Sequence, residues 1–404
     1  MGSVFLFVKM KYRLCCLLVG YLVISFCKQI DAQNLPEHLR QRAFRYLLKG
    51  EITQLKVWKD SFLLLGKTKI TADTLTLVER HYQKIFENYL QKKAFLKLNT
   101  FLGRKPLSGL KIALDPGHFA GDSVTARLEG KYIEMNLPDS TQIFFWESYL
   151  AWATAKLLQE KLQQYGANVM LTRSQPNYTA FEKTFQQHYQ EYLENFRQQN
   201  SSKKRKKVKP LNEKQFFRLF FRKQELQERV RKINEFAPDL TLIIHYNVDE
   251  QNSPWKKPVS QNFAMAFVAG AFEWQDLDKN STEDFLRLLT SKDIELSIYF
   301  SEKILQAHQI VAGVPPVPVK NNQKFLQEKC LFTGKQGVYA RNLLLCKSVK
   351  GIVCYGESLL QDSDQEIKRL NEKTLQVGNI WVSSRVKDIA EAYFQGIMNF
   401  LKEL

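Results

Sequence analysis

Histidine is scarce in this chain: 404 residues contain only six. Cysteine is equally rare, and Cys15, Cys16 and Cys27 crowd into the first thirty positions. The remaining three, Cys330, Cys346 and Cys354, are odd in number and lack metal-ligand spacing, which excludes a disulfide framework. Cys354 sits inside an apolar run and reads as core; a Cys330–Cys346 bridge stays open. Acidic charge is short as well. Asp and Glu number 41 against 59 Lys and Arg, a formal charge of +18. Such an excess suits acidic partners. No nucleic-acid motif is present, so an anionic membrane or wall polymer is the partner class left, beside simple basic bias. No internal repeat is found.

The N-terminus has the layout of a secretory signal over residues 1–32. Lys9, Lys11 and Arg13 precede an apolar stretch from Leu14 to Phe26, and Ala32 is a small residue at a cleavage position. The apolar run is short for a membrane span, although an uncleaved anchor remains an alternative. Phe26 is too bulky for a lipidation motif at Cys27.

Residues 33–106 read as a helical extension, with apolar residues at Leu39 and then three and four apart from Phe44 to Leu47 and Leu48, and again from Tyr82 to Ile85 and Phe86. From Lys111 the pattern becomes α/β. A short strand opening at Lys111, within KIALDPGH (111–118), precedes a helix at 146–165 closed by Gly166, and a second strand follows at 167–173. Strand, helix, strand implies parallel pairing with a right-handed crossover. The expected fold is α/β, a mostly parallel twisted sheet with helices on both faces, plus the N-terminal helical extension. Residues 174–225 interrupt it as a helical insertion around the basic run SSKKRKKVKP (201–210). A helix leads into the strand at 238–247, another strand is expected at 262–272, and helices at 280–312 and 386–401.

The candidate chemistry sits where strands end. LDPGH places His118 after one apolar strand, LIIHYN places His245 at the end of another, and GIVCYGE closes a third on Glu357. Ligands in open α/β sheets gather beyond the carboxyl ends of the strands. Two histidines with a carboxylate, plus a second carboxylate as base, suit a hydrolytic zinc site. Glu147, in the first turn of a helix, is the candidate third ligand; Glu129 and Glu134 are its rivals. Asp115 is either a turn residue or an orienting group. Asn247 either binds substrate or caps its strand. Arg173 reads as a structural contact, and His38, His81, His188 and His308 as surface or packing residues.

These residues resemble the zinc-dependent N-acetylmuramoyl-L-alanine amidases of the bacterial cell wall. The resemblance covers about 109–403 apart from the insertion, so 107–404 would be the catalytic domain. It implies metal ligands His118, Glu147 and His245, with Glu357 as the catalytic glutamate; Glu147 lies 26 residues before Arg173 (173 − 147), as the family spacing requires. It implies hydrolysis of the amide between N-acetylmuramic acid and L-alanine of peptidoglycan, zinc as cofactor and, in some members, an activator protein; the signal segment without a wall-binding repeat suggests the periplasm of a Gram-negative cell. A helix that covers the metal in some members would correspond to 281–294, with Glu283, Asp284 and Glu295. Three positions depart from the family: Phe119-Ala120 where it has a glycine pair, Ile243 where it has serine, and Ser358-Leu359 where it has Gly-Phe. A non-catalytic wall-binding scaffold, or a zinc peptidase acting on another amide, are the alternative readings.

Overall fold

The computed structural model describes residues 37–49, 63–64, 68–69, 72–119, 121–200, 209–252, 257–276 and 279–403. The signal segment and residues 201–208 of the basic run lie outside the described residues. The chain forms two compact units, one of residues 1–86 with 272–291, the other of 87–271 with 292–404.

In the described part of the smaller unit, a helix at Glu37–Arg42 runs into a π-helical turn at Ala43–Leu47. Leu39, Ala43 and Leu47 are buried, as are Phe272, Phe285 and Leu289. Leu48 bridges Phe272, and the Arg42 guanidinium donates to the Leu289 carbonyl at 2.5 Å in the helix Lys279–Thr290. Leu63–Leu64 and Thr68–Lys69 form a two-residue antiparallel ladder that no alternation in the sequence announces. The long helix Ala72–Phe101 begins in this unit and ends in the other.

The larger unit is built on a seven-stranded sheet. Its elements, in chain order, begin with strand β1 (Lys111–Pro116) and the short helix α1 (Ser123–Glu129). A hairpin of β2 (Tyr132–Asn136) and β3 (Gln142–Trp146) follows, then helix α2 (Glu147–Gln164) and strand β4 (Asn168–Leu171). Helices α3 (Phe185–Asn200) and α4 (Arg222–Phe236) precede the central strand β5 (Leu240–Asn247). Strand β6 (Met265–Ala269), helix α5 (Asp293–Ala307), β7 (Cys330–Phe332), β8 (Val338–Arg341), β9 (Ile352–Leu360) and helix α6 (Arg385–Glu403) complete it. The strand order is β4-β1-β5-β9-β6-β8-β7. β4, β1, β5 and β9 run parallel; β6 is antiparallel to β9, β8 parallel to β6, and β7 antiparallel to β8. β2 and β3 pair only with each other.

Strand periodicity decides which face carries chemistry, because alternate residues point to opposite sides. Ala113, Ile243 and Val353 pack with Ile233 of α4 and with Leu345 and Val349 on one face. Asp115, His245, Tyr355 and Glu357 share that parity and lie further along the same strands. α2, α5 and α6 cover the opposite face, so the sheet has helices on both sides. Gly166 ends α2 with φ +98°, and the Ala167 amide donates to Leu162 at 3.0 Å, the six-to-one bond of a glycine C-cap.

Two segments differ from the sequence reading. The helix expected over 280–312 breaks at Ser291–Lys292, so the stretch read as a metal cover splits: Glu283 and Asp284 fall on the smaller unit's helix and Glu295 on α5. The insertion's second helix is one continuous rod with α4, from Glu213 through a π turn at Phe217–Phe221 to Phe236. No disulfide joins Cys330 to Cys346; both are buried thiols, as is Cys354.

Candidate metal centre

The turn after β1 is held by arginines. Gly117 donates its amide to Ile244 of β5 at 2.8 Å, which keeps the turn hooked to the sheet after β1 ends. Arg173 donates to the Gly117 carbonyl at 3.0 Å, so it is a structural contact. Arg229 of α4 donates to the Pro116 carbonyl at 2.8 Å and to that of His118. The carbonyls of three successive residues are thus committed, and His118 is fixed at φ +64°. A non-glycine residue in that region costs energy and persists only when its surroundings over-determine it.

Gly117 answers a second constraint. A Cβ there would lie 2.5 Å from the His245 ring. Its backbone is not in the left-handed region, so glycine is needed for the close approach and not for its φ. Gly117→Ala is expected to displace the His245 ring while the fold survives. Affinity for a metal ion held by this ring should fall about 10–100-fold, the usual cost of misorienting a ligand. A competition titration alongside a melting curve measures both.

The hairpin delivers the carboxylates. Asp122 caps α1 by accepting from the Thr125 amide at 2.7 Å. Gly130 (φ +74°) ends the helix, and the Lys131 amide donates back to Ala126 at 2.9 Å. Tyr132 then pairs with Trp146 across the β2–β3 ladder, so the chain returns beside its starting point and Glu147 opens α2 next to Lys131.

Three side chains converge. The His118 Nε2 lies 2.6 Å from the Glu147 Oε1, and the His245 Nδ1 lies 3.1 Å from that oxygen and 3.2 Å from His118 Nε2. All three residues are buried. The other His118 nitrogen, Nδ1, is 2.7 Å from Glu129 Oε1, which places the proton on Nδ1 and leaves Nε2 for a cation. Glu129 therefore orients His118, while Glu134 is exposed and paired with Arg127 at 2.8 Å. Glu147 is positioned by the Tyr246 amide at 2.9 Å and by Gln361 at 3.2 Å. Ser358 donates to the His245 carbonyl at 2.8 Å.

The charges are those of a site built for a cation. Burial opposes protonation of His118, but Glu129 and Glu147 outweigh it and hold its pKa up to about 9. His245 is pushed down to about 4 by burial. Burial would raise Glu147, yet His118 keeps it well below the usual carboxylate range. A proton on His118 thus neutralises what a divalent ion would neutralise better. The N,N,O donor set, with atoms close enough to share one ion at about 2.0–2.2 Å, fits zinc.

Glu357 pairs across the ladder with His245. Its Oε2 is buried without a hydrogen-bond partner among the described residues. Burial, then repulsion from Glu147, pushes it up to about 7. It lines, with His118 and His245, a cavity of about 480 Å³, a size typical of small-ligand sites. Asn247 also lines this cavity; Glu295 does not.

The sequence reading missed the support. Asp115 is buried in an ionic network: Arg229 reaches it at 3.2 Å and Glu225 at 2.8 Å, and the Thr172 hydroxyl donates to it. Only an arginine at the right turn of α4 could have hinted at this. The departures from the family pattern also find uses. Phe119 packs edge-on against Phe217 and Phe221, ring centroids 5.4 and 5.9 Å away, anchoring the insertion beside the site. Ile243 is core under α4.

Among described residues, no helix is long and apolar enough to cross a membrane. Among the curated proteins none matches the chain in sequence. Solved structures similar to it include the CwlD amidase of Clostridioides difficile in complex with the GerS lipoprotein. That match has 19% identity and a TM-score of 0.40, covering 73% of this chain and 100% of that one. The N-acetylmuramyl-L-alanine amidase Ami1 of Mycobacterium abscessus is similar at 14% identity and a TM-score of 0.39, covering 73% and 100%. Ami1 of Mycobacterium smegmatis follows at 12% and 0.41, covering 74% and 99%. In sequence, residues 112–256 match the family model described as N-acetylmuramoyl-L-alanine amidase. That stretch holds His118, Glu147 and His245.

Proposed function

We propose that the protein is a zinc-dependent hydrolase of the amide joining N-acetylmuramic acid to L-alanine in peptidoglycan, with His118, Glu147 and His245 as ligands and Glu357 as general base. The observation that carries this reading is the convergence of the three side chains beside Glu357, which has one buried, unpartnered carboxylate oxygen and shares a cavity with His118 and His245. Bound zinc would polarise the amide carbonyl and acidify water. The chain's own residues do the rest. Glu129 holds the His118 tautomer, and Gln361 with the Tyr246 amide holds Glu147 in place. Glu357 takes a proton from the attacking water and passes it to the leaving amine of L-alanine. The amide C–N bond breaks, and the muramoyl lactyl group departs as a carboxylate.

The leader-like N-terminus and the basic charge support export to the cell envelope, in a periplasm, with an anionic wall or membrane surface nearby. An activator protein is part of the same reading.

Release of free stem peptide from purified peptidoglycan by the zinc-loaded protein tests the activity. Glu147→Gln separates ligand from bystander. It keeps the size but gives up the charge and one of the two acceptor oxygens, so the variant should emerge from dialysis without stoichiometric zinc and without activity. A Glu147→Gln protein that retains one equivalent of zinc would remove Glu147 from the ligand set.

A further inference from the structure

The cavity in front of the histidines contains cations that hydrolysis does not use. Among its charged lining residues, Glu129 is committed to His118, and Arg229 to Asp115 and Glu225. Glu250 accepts from the Phe325 amide at 3.1 Å. Besides the exposed Arg222, Lys131 and Arg341 are left. Among the described residues neither side chain has a hydrogen bond or a carboxylate within ion-pair distance, and both face the cavity.

Their placement is built rather than incidental. Lys131 is set by the glycine cap of α1 and by the hairpin closure that also sets Glu147. Arg341 ends β8, and its guanidinium packs over Phe267 at 5.0 Å and Phe325 at 5.2 Å. Aromatic faces fix the plane of a guanidinium and leave its N–H edge available. Phe267 meets Tyr355 edge-on at 6.0 Å, and Tyr355 stacks on the His245 ring at 4.5 Å and 10°. A floor of rings therefore runs from the metal ligand to Arg341. Lys131 feels Glu147, then Glu357 and Glu129, and both it and Arg341 act on Glu357. Neither cation makes a direct ion pair, and beside a base that must stay unpaired their donor edges leave room for an anion brought by the ligand.

Resting on the amidase reading, we propose that Arg341, with Lys131, binds a carboxylate of the substrate's peptide half and so sets which end of the amide faces the ring floor. The sugar half offers no carboxylate before hydrolysis, because its lactyl group is tied up in the amide. The peptide half carries free carboxylates. The Arg341 end of the cavity is then the leaving-group side, and Glu357 lies between it and His245, where the departing amine needs a proton.

The test uses two probes: a muramoyl dipeptide whose second residue is glutamate, and the same compound with both carboxylates amidated. Binding to the zinc-loaded protein is measured by calorimetry and turnover by product release. The wild type should bind the carboxylate compound about tenfold or more tighter, the range of a charge-assisted hydrogen bond. Arg341→Met and Lys131→Met should each shrink that ratio. Arg341→Lys keeps the charge without the fork, should shrink it partly, and serves if the methionine variant does not fold. Equal binding of both probes by the wild type, or a preference undiminished in the variants, overturns the proposal. Turnover of both probes at equal efficiency overturns it while leaving the amidase reading standing. Selective binding of the carboxylate without turnover of either probe would do the reverse.

Discussion

Glu357→Gln should lower the rate of stem-peptide release by about 10²–10⁴-fold, the usual cost of losing a general base. Glutamine keeps the size and most of the hydrogen-bonding capacity of glutamate but cannot accept water's proton. The residue sits on β9 in register with His245, with one carboxylate oxygen buried and unpartnered. Such an atom costs stability, and active sites are where that cost is tolerated. Burial and Glu147 push its pKa up to about 7, where a base is both deprotonated enough to act and basic enough to pull. Because Glu357 is no proposed ligand, the variant should keep its zinc and its melting temperature. Near-wild-type turnover on purified peptidoglycan would remove Glu357 from the mechanism and favour the scaffold or peptidase readings.

Arg229→Met should cost about 3–5 kcal/mol of stability, the range for breaking a buried ion pair by removing one partner. Methionine fills much of the space, so the loss isolates charge and hydrogen bonding. Asp115 and Glu225, both fully buried, would lose the guanidinium that pairs directly with each of them. Burial already raises Glu225 in spite of Arg229, so without it the group has little to keep it ionised. The carbonyls of Pro116 and His118 would lose a donor in the same step. Zinc affinity should therefore drop with stability, although Arg229 touches neither imidazole nor Glu147 through a hydrogen bond. Urea unfolding measures the first effect and a metal titration the second. A stability change under about 1 kcal/mol would mean the network is not what holds the turn. Arg229→Lys should recover only part of the loss, because an ammonium cannot reproduce the fork that serves two carboxylates and two carbonyls.

Much of the catalytic face was legible in the linear chain because strands have a period of two. Given strands ending in DPGH, IHYN and YGE, the parity of Asp115, His245 and Glu357 places them on one side of one sheet once the strands are parallel neighbours. Glu147 was legible only through spacing and the family resemblance, since an acidic residue in a first helical turn is ordinary. Its two rivals show why. Glu129 and Glu134 lie on the same excursion, and only the hairpin register decides that one supports His118 and the other points to solvent.

The sequence by itself determined the α/β class, the strand ends that carry His118, His245 and Glu357, and the cap that stops α2 at Gly166, because those signals are local: apolar runs, turn residues and glycine punctuation. Tertiary structure alone decided the rest. The break at 291–292 and the smaller unit's use of 272–291 follow from packing partners far along the chain. The Asp115–Arg229–Glu225 network joins residues more than a hundred positions apart, and nothing in their identities distinguishes them from surface charges. Gly117 looks like a turn residue in the sequence; only the approach of the His245 ring from β5 makes its missing side chain necessary. Lys131 and Arg341 are two of 59 basic residues until the fold turns both into the same cavity and gives neither a direct ion pair. Contacts between distant segments are set by how elements pack, and that information is carried by no single window of the chain.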